Sequence, residues 1–130
     1  MFRKNKLAML VSEFLGTAVL ALAVLALSHS QLSYPYFIAT AAGLTLVLLA
    51  VALAGISGAV FNPALTIGLW TVRKLRTLQA LSYIIAQFAG AAVAWYLFVY
   101  FTKIDDAKNN GAYDARLLVA EATGTFVFSF

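Results

Sequence analysis

One stretch near the middle of the chain decides the fold, Gly55-Ile56-Ser57-Gly58-Ala59-Val60-Phe61-Asn62-Pro63. Proline lacks a backbone donor and disfavours helix in the residue before it, so no helix continues smoothly through this stretch. Asparagine is a favoured N-cap and proline is favoured at the first helical position, so a new helix is predicted to begin at Pro63. Apolar residues continue only to about Thr71. The predicted helix is therefore about 12–15 Å long and cannot cross a hydrocarbon layer of about 30 Å.

The composition indicates a membrane protein. Of 130 residues, 63% are hydrophobic and 11% are charged, and there is no cysteine, whereas soluble domains are about 25% charged. These values exclude a disordered chain, a disulfide-stapled secreted domain and an ordinary cytosolic enzyme. The net charge of +4 is typical of basic cytoplasmic loops in a membrane protein, so we expect a lipid bilayer and no nucleic acid as partner.

Three apolar stretches are long enough to span a bilayer, at about 7–27, 37–55 and 78–101, with the half-helix at 63–71 between the second and the third. A secretory signal peptide is the alternative for the first stretch. That alternative is disfavoured because a signal core has about 7–15 apolar residues, whereas this stretch is longer and contains Glu13. The apolar stretch 117–130 is too short to span and reads as the start of another helix.

Basic residues predict the orientation of the chain. They precede the first span and follow the half-helix, and the loop at 28–36 has none. The positive-inside rule then places the N-terminus and the segment 73–76 in the cytoplasm. Both ends of the segment 55–76 lie on that side, so the segment is predicted to be re-entrant. The basic residues are Arg3, Lys4, Lys6, Arg73, Lys74 and Arg76.

The tip of the re-entrant segment carries the predicted chemistry. Its helix start directs free N–H groups and a positive dipole end at the membrane midplane, where irregular backbone is tolerated only against protein or a wet cavity. Backbone carbonyls and the Asn62 amide would form a polar ladder for small neutral molecules, and the positive helix end opposes cations and protons. The alternative is a simple Asn-Pro turn in a loop. It is disfavoured because the helix after Pro63 is too short to span the bilayer and the basic residues place both ends of the segment on one side. The predicted lining residues are Gly58, Ala59, Val60, Phe61, Asn62, Pro63 and Ala64.

Two polar residues inside the predicted spans are expected to brace the tip. A carboxylate in lipid is costly, so Glu13 needs a role there. A proton relay would need a second ionisable group at similar depth, and only Glu121 is offered. We therefore expect Glu13 to accept hydrogen bonds from the loop, with Gln87 acting similarly and Glu121 as the counterpart in a second repeat. An ion- or proton-coupled transporter is disfavoured, and an enzyme, a cofactor or a metal site is not expected because no catalytic or ligand set is present.

Small residues at four-residue spacing indicate close helix crossings. They are Ala86, Gly90 and Ala94 in the third span, Ala39 and Gly43 in the second, and Gly16 in the first.

An internal repeat indicates the architecture. Residues 12–19 match residues 120–127 at an offset of 108, with Glu, Gly, Thr and Val coinciding. Three spans separate the copies, so the second copy is inverted. We expect a first repeat at 1–115 and the truncated start of a second at 116–130.

These residues resemble the aquaporin (major intrinsic protein) family. The matching motifs are residues 12–17, 57–66, 83–91 and 121–125. The resemblance implies an all-α membrane protein, namely three transmembrane helices and a re-entrant half-helix as the first repeat of an inverted-repeat fold, with a partial fourth helix. It also implies a homotetramer of six-helix pores in the cell (plasma) membrane, with Asn62 as one of two donors that orient the permeating water.

The resemblance assigns Ala42, beside Gly43, to the outer constriction. Water-selective members usually have a bulky aromatic there, so alanine implies a wider filter that admits glycerol or other small neutral solutes. Val60 departs from the histidine often found at its position. The second Asn-Pro-Ala, expected at about position 170, and the filter arginine after it are absent from residues 1–130. We expect that residues 1–130 do not conduct alone. We also expect that the second motif is missing because this sequence is a shortened piece of a longer protein.

Two functional hypotheses follow from the sequence. The first is a passive channel for water, and for glycerol-like solutes as well, that needs a C-terminal half to complete its pore. The alternative is a non-conducting half-channel fragment that acts as a structural or assembly partner in the membrane.

Overall fold

The described part of the chain is entirely helical. The computed structural model describes residues 5–31 and 34–102, and within them it contains no strand. The four helices are α1 (Lys6–Ser28), α2 (Pro35–Leu53), α3 (Pro63–Thr71) and α4 (Thr77–Thr102). Three of them are long and apolar enough to cross a membrane. The predicted all-α membrane fold is confirmed, and the chain is an integral membrane protein.

The helix ends differ slightly from the predicted ones because of local capping. Asn5 caps α1, with its side chain accepting a hydrogen bond from Leu7 N–H at 3.0 Å. Proline suits the first turn of a helix, and α2 begins at Pro35 with Tyr34 as N-cap rather than at 37. It also ends earlier than predicted, at Leu53, where the backbone turns into the loop that leads to α3.

Helices α1 and α4 run parallel to each other. Residue numbers rise together along their contacts: Glu13 meets Gln87, the Phe14 carbonyl faces Gly90, and the His29 ring lies 4.8 Å from the Phe98 ring. The N-terminal ends of both helices therefore lie at the same side of the molecule.

The segment between α2 and α4 is re-entrant. Six residues link α1 to α2, which reach at most about 21 Å at about 3.6 Å each and cannot return across a layer of about 30 Å. α2 packs against α1 and so runs back antiparallel to it. It ends on the side where α4 begins, and residues 54–76 enter and leave on that side.

The tip of α3 lies near the middle of the spanning helices. Phe61 contacts Gly16 and Thr17, the eleventh and twelfth residues of the 23-residue helix α1. α3 itself packs against α4. A helix of nine residues extends about 14 Å, so α3 covers the distance from mid-depth to one membrane surface.

Small residues allow α1 and α4 to approach closely. A Cβ at Gly90 would run into the Phe14 carbonyl oxygen and would lie 3.2 Å from the Ala18 nitrogen. Ala94 is also buried, whereas Ala86 is partly exposed. Ala39 and Gly43 on α2 do not mediate a close helix contact in the described part of the chain, since a Cβ at Gly43 would meet nothing within 4 Å.

The outer faces of the helices are apolar and uncovered. No residue of α2 is buried, and large side chains such as Val51 and Phe101 are 83% and 74% exposed. Lipid or further protein must cover these faces. The predicted boundary between 115 and 116 and the start of a second repeat lie outside the described residues.

Candidate functional site

Asn62 caps α3 and presents a free amide group at its tip. Its backbone is extended (φ −142°, ψ 122°), and its Oδ1 accepts a hydrogen bond from Ala64 N–H at 2.8 Å. Its carbonyl accepts from the Thr66 N–H at 3.0 Å and the Thr66 hydroxyl at 2.9 Å. Among the described residues, Nδ2 finds no acceptor. With the oxygen occupied by the cap, the two amide hydrogens of Asn62 face away from the helix.

A buried carboxylate holds the loop that precedes this tip. Glu13 is 0% exposed. Its Oε1 accepts from Ser57 Oγ at 2.6 Å and from Val60 N–H at 3.1 Å. Its Oε2 accepts from Phe61 N–H and from Gln87 Nε2, both at 2.8 Å. Four donors, three from the loop and one from α4, thus meet on one side chain of α1. Such charge-assisted bonds are among the strongest in proteins.

Further hydrogen bonds connect the carboxylate to α3 and α4. Gln87 Nε2 also donates to Thr66 Oγ1 at 3.0 Å. The Tyr83 hydroxyl donates to the Ser57 carbonyl at 2.8 Å, and Thr17 Oγ1 donates to the Phe61 carbonyl at 3.3 Å. Every buried side-chain nitrogen and oxygen in the described part of the chain has a partner. The network joins α1, the loop, α3 and α4 into one unit.

The loop backbone is strained, and the network compensates for the strain. Ala59 and Phe61 have φ of 53° and 47°, in the left-handed region, and Gly58 has φ of 99°. A non-glycine residue in that region costs about 1–2 kcal/mol. These conformations turn the Val60 and Phe61 N–H groups towards Glu13. The hydrogen bonds to the carboxylate therefore maintain a loop shape that is unfavourable by itself.

The predicted lining residues divide into an open and a buried set. Val60 and Phe61 are 7% and 2% exposed, and the Phe61 ring packs against Gly16. Their N–H groups face the buried carboxylate and their side chains fill the interior, whereas the prediction concerned their backbone carbonyls, so their place in a passage wall stays a prediction. The open set, in which each residue keeps exposed surface, is Gly58, Ala59, Asn62, Pro63 and Ala64.

Ala42 lies away from the tip. Ala42 is on α2, which makes close contact with α1 but with neither α3 nor α4 in the described part of the chain. The structure therefore does not bring Ala42 to Asn62. Glu121 lies outside the described residues.

Sequence reasoning missed several members of the network. Ser57, Thr66 and Tyr83 were given no role there, although all are buried and hydrogen-bonded around the tip. One signal was available. Tyr83 precedes Gln87 by four residues, so both lie on one face of a helix. Ser57 offered no such signal, because its partner Glu13 is 44 residues away.

The arrangement suits recognition of an uncharged, hydrogen-bonding molecule. The tip offers the donors of the Asn62 amide beside the irregular backbone of Gly58 and Ala59, and the nearby carboxylate is already saturated by four donors. No group of three or more histidine, cysteine or acidic residues that could hold a metal occurs in residues 5–31 and 34–102.

Comparison with known proteins identifies the family. The chain matches the family model described as major intrinsic protein over residues 2–130. Aquaporin AqpM of Methanothermobacter thermautotrophicus is 39% identical over 85 residues, which cover 58% of this chain and 35% of that protein. Aquaporin Z of Photorhabdus laumondii is 37% identical over 91 residues, which cover 65% of this chain and 39% of that protein. The match thus spans little more than a third of the length of these curated relatives. This chain, with its re-entrant half-helix capped by Asn62, belongs to the major intrinsic protein family.

Proposed function

We propose that this chain supplies the first half of a passive transmembrane channel for water and for small neutral solutes such as glycerol. One observation carries the proposal: the free Asn62 amide lies at mid-depth, at the start of a half-helix that Glu13 and Gln87 hold in place. The relatives named aquaporin support a channel function. A fixed donor at that depth can orient a molecule that also accepts hydrogen bonds.

The electrostatics of the tip favour neutral molecules over ions. The N-terminal end of α3 carries a partial positive charge that repels cations. The carboxylate that could attract cations, Glu13, is 0% exposed and accepts four hydrogen bonds. No other acidic residue occurs in residues 5–31 and 34–102. The passage beside Asn62 would therefore conduct water without a charged relay.

The proposed selectivity includes solutes larger than water. Ala42 has a small side chain at the position that we assign to the outer constriction, which supports a filter wide enough for glycerol. Val60 is apolar and buried, so it adds no polar contact to the inner half of the passage.

A complete pore would need a second half and further copies. We propose that a C-terminal half contributes a second capped half-helix, and that complete channels assemble as homotetramers. The uncovered apolar faces of α2 and α4 support such assembly. The basic segments at 3–6 and 73–76 support a cytoplasmic N-terminus, and we place the complete channel in the plasma membrane.

Stopped-flow light scattering on proteoliposomes tests the channel function. The sample is a full-length protein that carries this sequence, compared with its Asn62→Asp variant. Aspartate keeps the oxygen that caps α3 and removes the amide donors, so the fold is expected to survive. Loss of one hydrogen bond of about 1 kcal/mol should slow osmotic shrinkage by about fivefold. Shrinkage no faster than that of bare lipid, or a variant equal to the parent, would contradict the proposal.

A second candidate is a non-conducting assembly partner. The absence of buried residues on α2, which leaves the whole helix open to contact with another protein, favours it. The same measurement on residues 1–130 alone separates the two roles. A stable assembly without permeability supports the partner role for the isolated chain, whereas fast shrinkage shows that the chain forms a pore by itself.

A further inference from the structure

An open hollow of about 650 Å³ lies where α3 ends and α4 begins. Its volume is within the range of about 300–1,000 Å³ that is typical of small-molecule sites. It is separate from the Asn62 tip, at the opposite end of α3. Its lining residues are Trp70, Thr71, Arg73, Leu75, Arg76 and Thr77.

The two arginines of this hollow have no partner in the described part of the chain. The carbonyls at the end of α3 are satisfied by backbone N–H groups, because Trp70 O accepts from Arg73 at 2.9 Å and Leu69 O accepts from Lys74 at 2.8 Å. The basic side chains are therefore not used to cap the helix. Glu13 is the only carboxylate in residues 5–31 and 34–102, and it is buried among its own donors. No acidic side chain of residues 5–31 and 34–102 therefore competes with an anion for the guanidinium groups.

The hollow lies at the level of the lipid headgroups. The apolar spanning helix α4 begins at Thr77, and spanning helices pass from water to hydrocarbon at their ends. Trp70 is 43% exposed, and its indole N–H donates to Thr77 Oγ1 at 3.0 Å. This bond holds the indole beside the start of α4. Tryptophan at a membrane–water interface commonly places its ring against the region where headgroup and acyl chain meet.

We propose that this hollow binds the phosphate headgroup of an anionic phospholipid. Arg73 and Arg76 present planar forks of donors that match phosphate oxygens. Thr77 accepts from the indole and keeps its own hydroxyl proton to donate. The apolar wall of Trp70 and Leu75 contacts the glycerol and upper acyl region. The lipid is the occupant rather than free phosphate, because the hollow combines cationic and apolar walls at the start of a spanning helix. This site does not depend on the proposed channel function.

Quenching of tryptophan fluorescence tests the site. The chain has two tryptophans, so Trp95→Phe leaves Trp70 as the only reporter. The protein is placed in phosphatidylcholine vesicles that contain a minor fraction of either phosphatidylglycerol or phosphatidylcholine brominated near the glycerol end of the acyl chains. We expect brominated phosphatidylglycerol to quench Trp70 at an about fivefold lower mole fraction than brominated phosphatidylcholine.

Matched variants separate a site from general surface charge. Arg73→Gln and Arg76→Gln each should reduce the preference for phosphatidylglycerol severalfold. Lys74→Gln removes the same charge from the same loop but does not line the hollow, so it should retain the preference. Circular dichroism confirms that each variant remains helical.

Three results would overturn the proposal. Equal quenching by the two brominated lipids would show that the hollow does not select the anionic headgroup. A loss of preference in Lys74→Gln as large as in Arg73→Gln would show a diffuse charge effect. Loss of the preference in sodium phosphate, but not in sodium chloride of equal ionic strength, would assign the site to free phosphate.

Discussion

At the scale of single residues, one carboxylate organises the functional tip. Glu13 accepts four hydrogen bonds, two of them from the backbone of the strained loop. Taking a charge out of water costs several kcal/mol unless it is well paired and hydrogen-bonded. Here the donors come from Ser57, Gln87 and the loop itself. The carboxylate therefore stabilises the fold only while all of these groups keep their positions.

Glu13→Gln is expected to destabilise the protein by about 3 kcal/mol, because an amide has one acceptor oxygen and leaves two of the four donors unsatisfied at about 1–3 kcal/mol each. Unfolding in mixed micelles of dodecyl maltoside and sodium dodecyl sulfate, followed by circular dichroism, measures the change. Ser12→Ala is the matched control. Ser12 precedes Glu13 on α1 and makes one long bond of 3.2 Å to Ser57, so its loss should cost less than about 1 kcal/mol. Equal stability of Glu13→Gln and the parent would contradict the bracing role.

At the scale of helices, α3 depends on its neighbours. A helix of nine residues is marginal alone, because isolated helices shorter than about 12–15 residues rarely form in water. It is stabilised by its Asn62 cap, by Pro63 in the first turn and by Thr66, whose hydroxyl lies 3.0 Å from Gln87 Nε2. Contacts with α4 consequently determine where α3 lies, and the close packing of α4 against α1 determines where α4 lies.

Gly90→Ala is expected to loosen that contact. The added Cβ would overlap the Phe14 carbonyl oxygen on the backbone of α1, so the helices must separate, at a cost of about 1–3 kcal/mol. Gly43→Ala is the control, since nothing lies within 4 Å of its Cβ, and it should be neutral or should gain up to about 1 kcal/mol of helix propensity. The same micelle unfolding assay compares them. A Gly90→Ala variant as stable as Gly43→Ala would show that the approach of α1 and α4 is not tight.

At the scale of the whole molecule, parallel α1 and α4 make the intervening segment re-entrant. The geometry requires that Lys6 and Thr77 lie at one membrane surface and that Gln31 lies at the other. Small residues at the crossing permit this arrangement, since Gly90 brings the two backbones together. The same geometry places the Asn62 tip between the surfaces and the arginine hollow at one of them.

Cysteine labelling in vesicles of known orientation tests this topology. The chain has no native cysteine, so Lys6→Cys, Lys74→Cys and Gln31→Cys each carry a single thiol. A membrane-impermeant maleimide is expected to label the first two from one side and the third from the opposite side, and the labelled side of Lys6→Cys is expected to be cytoplasmic. Labelling of Lys6→Cys and Lys74→Cys from opposite sides would contradict a re-entrant segment.

The sequence by itself determined the number of spanning helices, the short helix that starts at Pro63 and the presence of a buried acid in the first span. These features depend on local hydropathy and on the backbone properties of proline and asparagine. They can therefore be predicted without knowledge of contacts between residues that are distant in the sequence. Only the tertiary structure decided which donors meet Glu13, that Val60 and Phe61 face inwards, and that Trp70 joins Thr77. The Glu13 partners lie up to 74 residues away along the chain. Such pairings are chosen by helix packing, which no local pattern specifies.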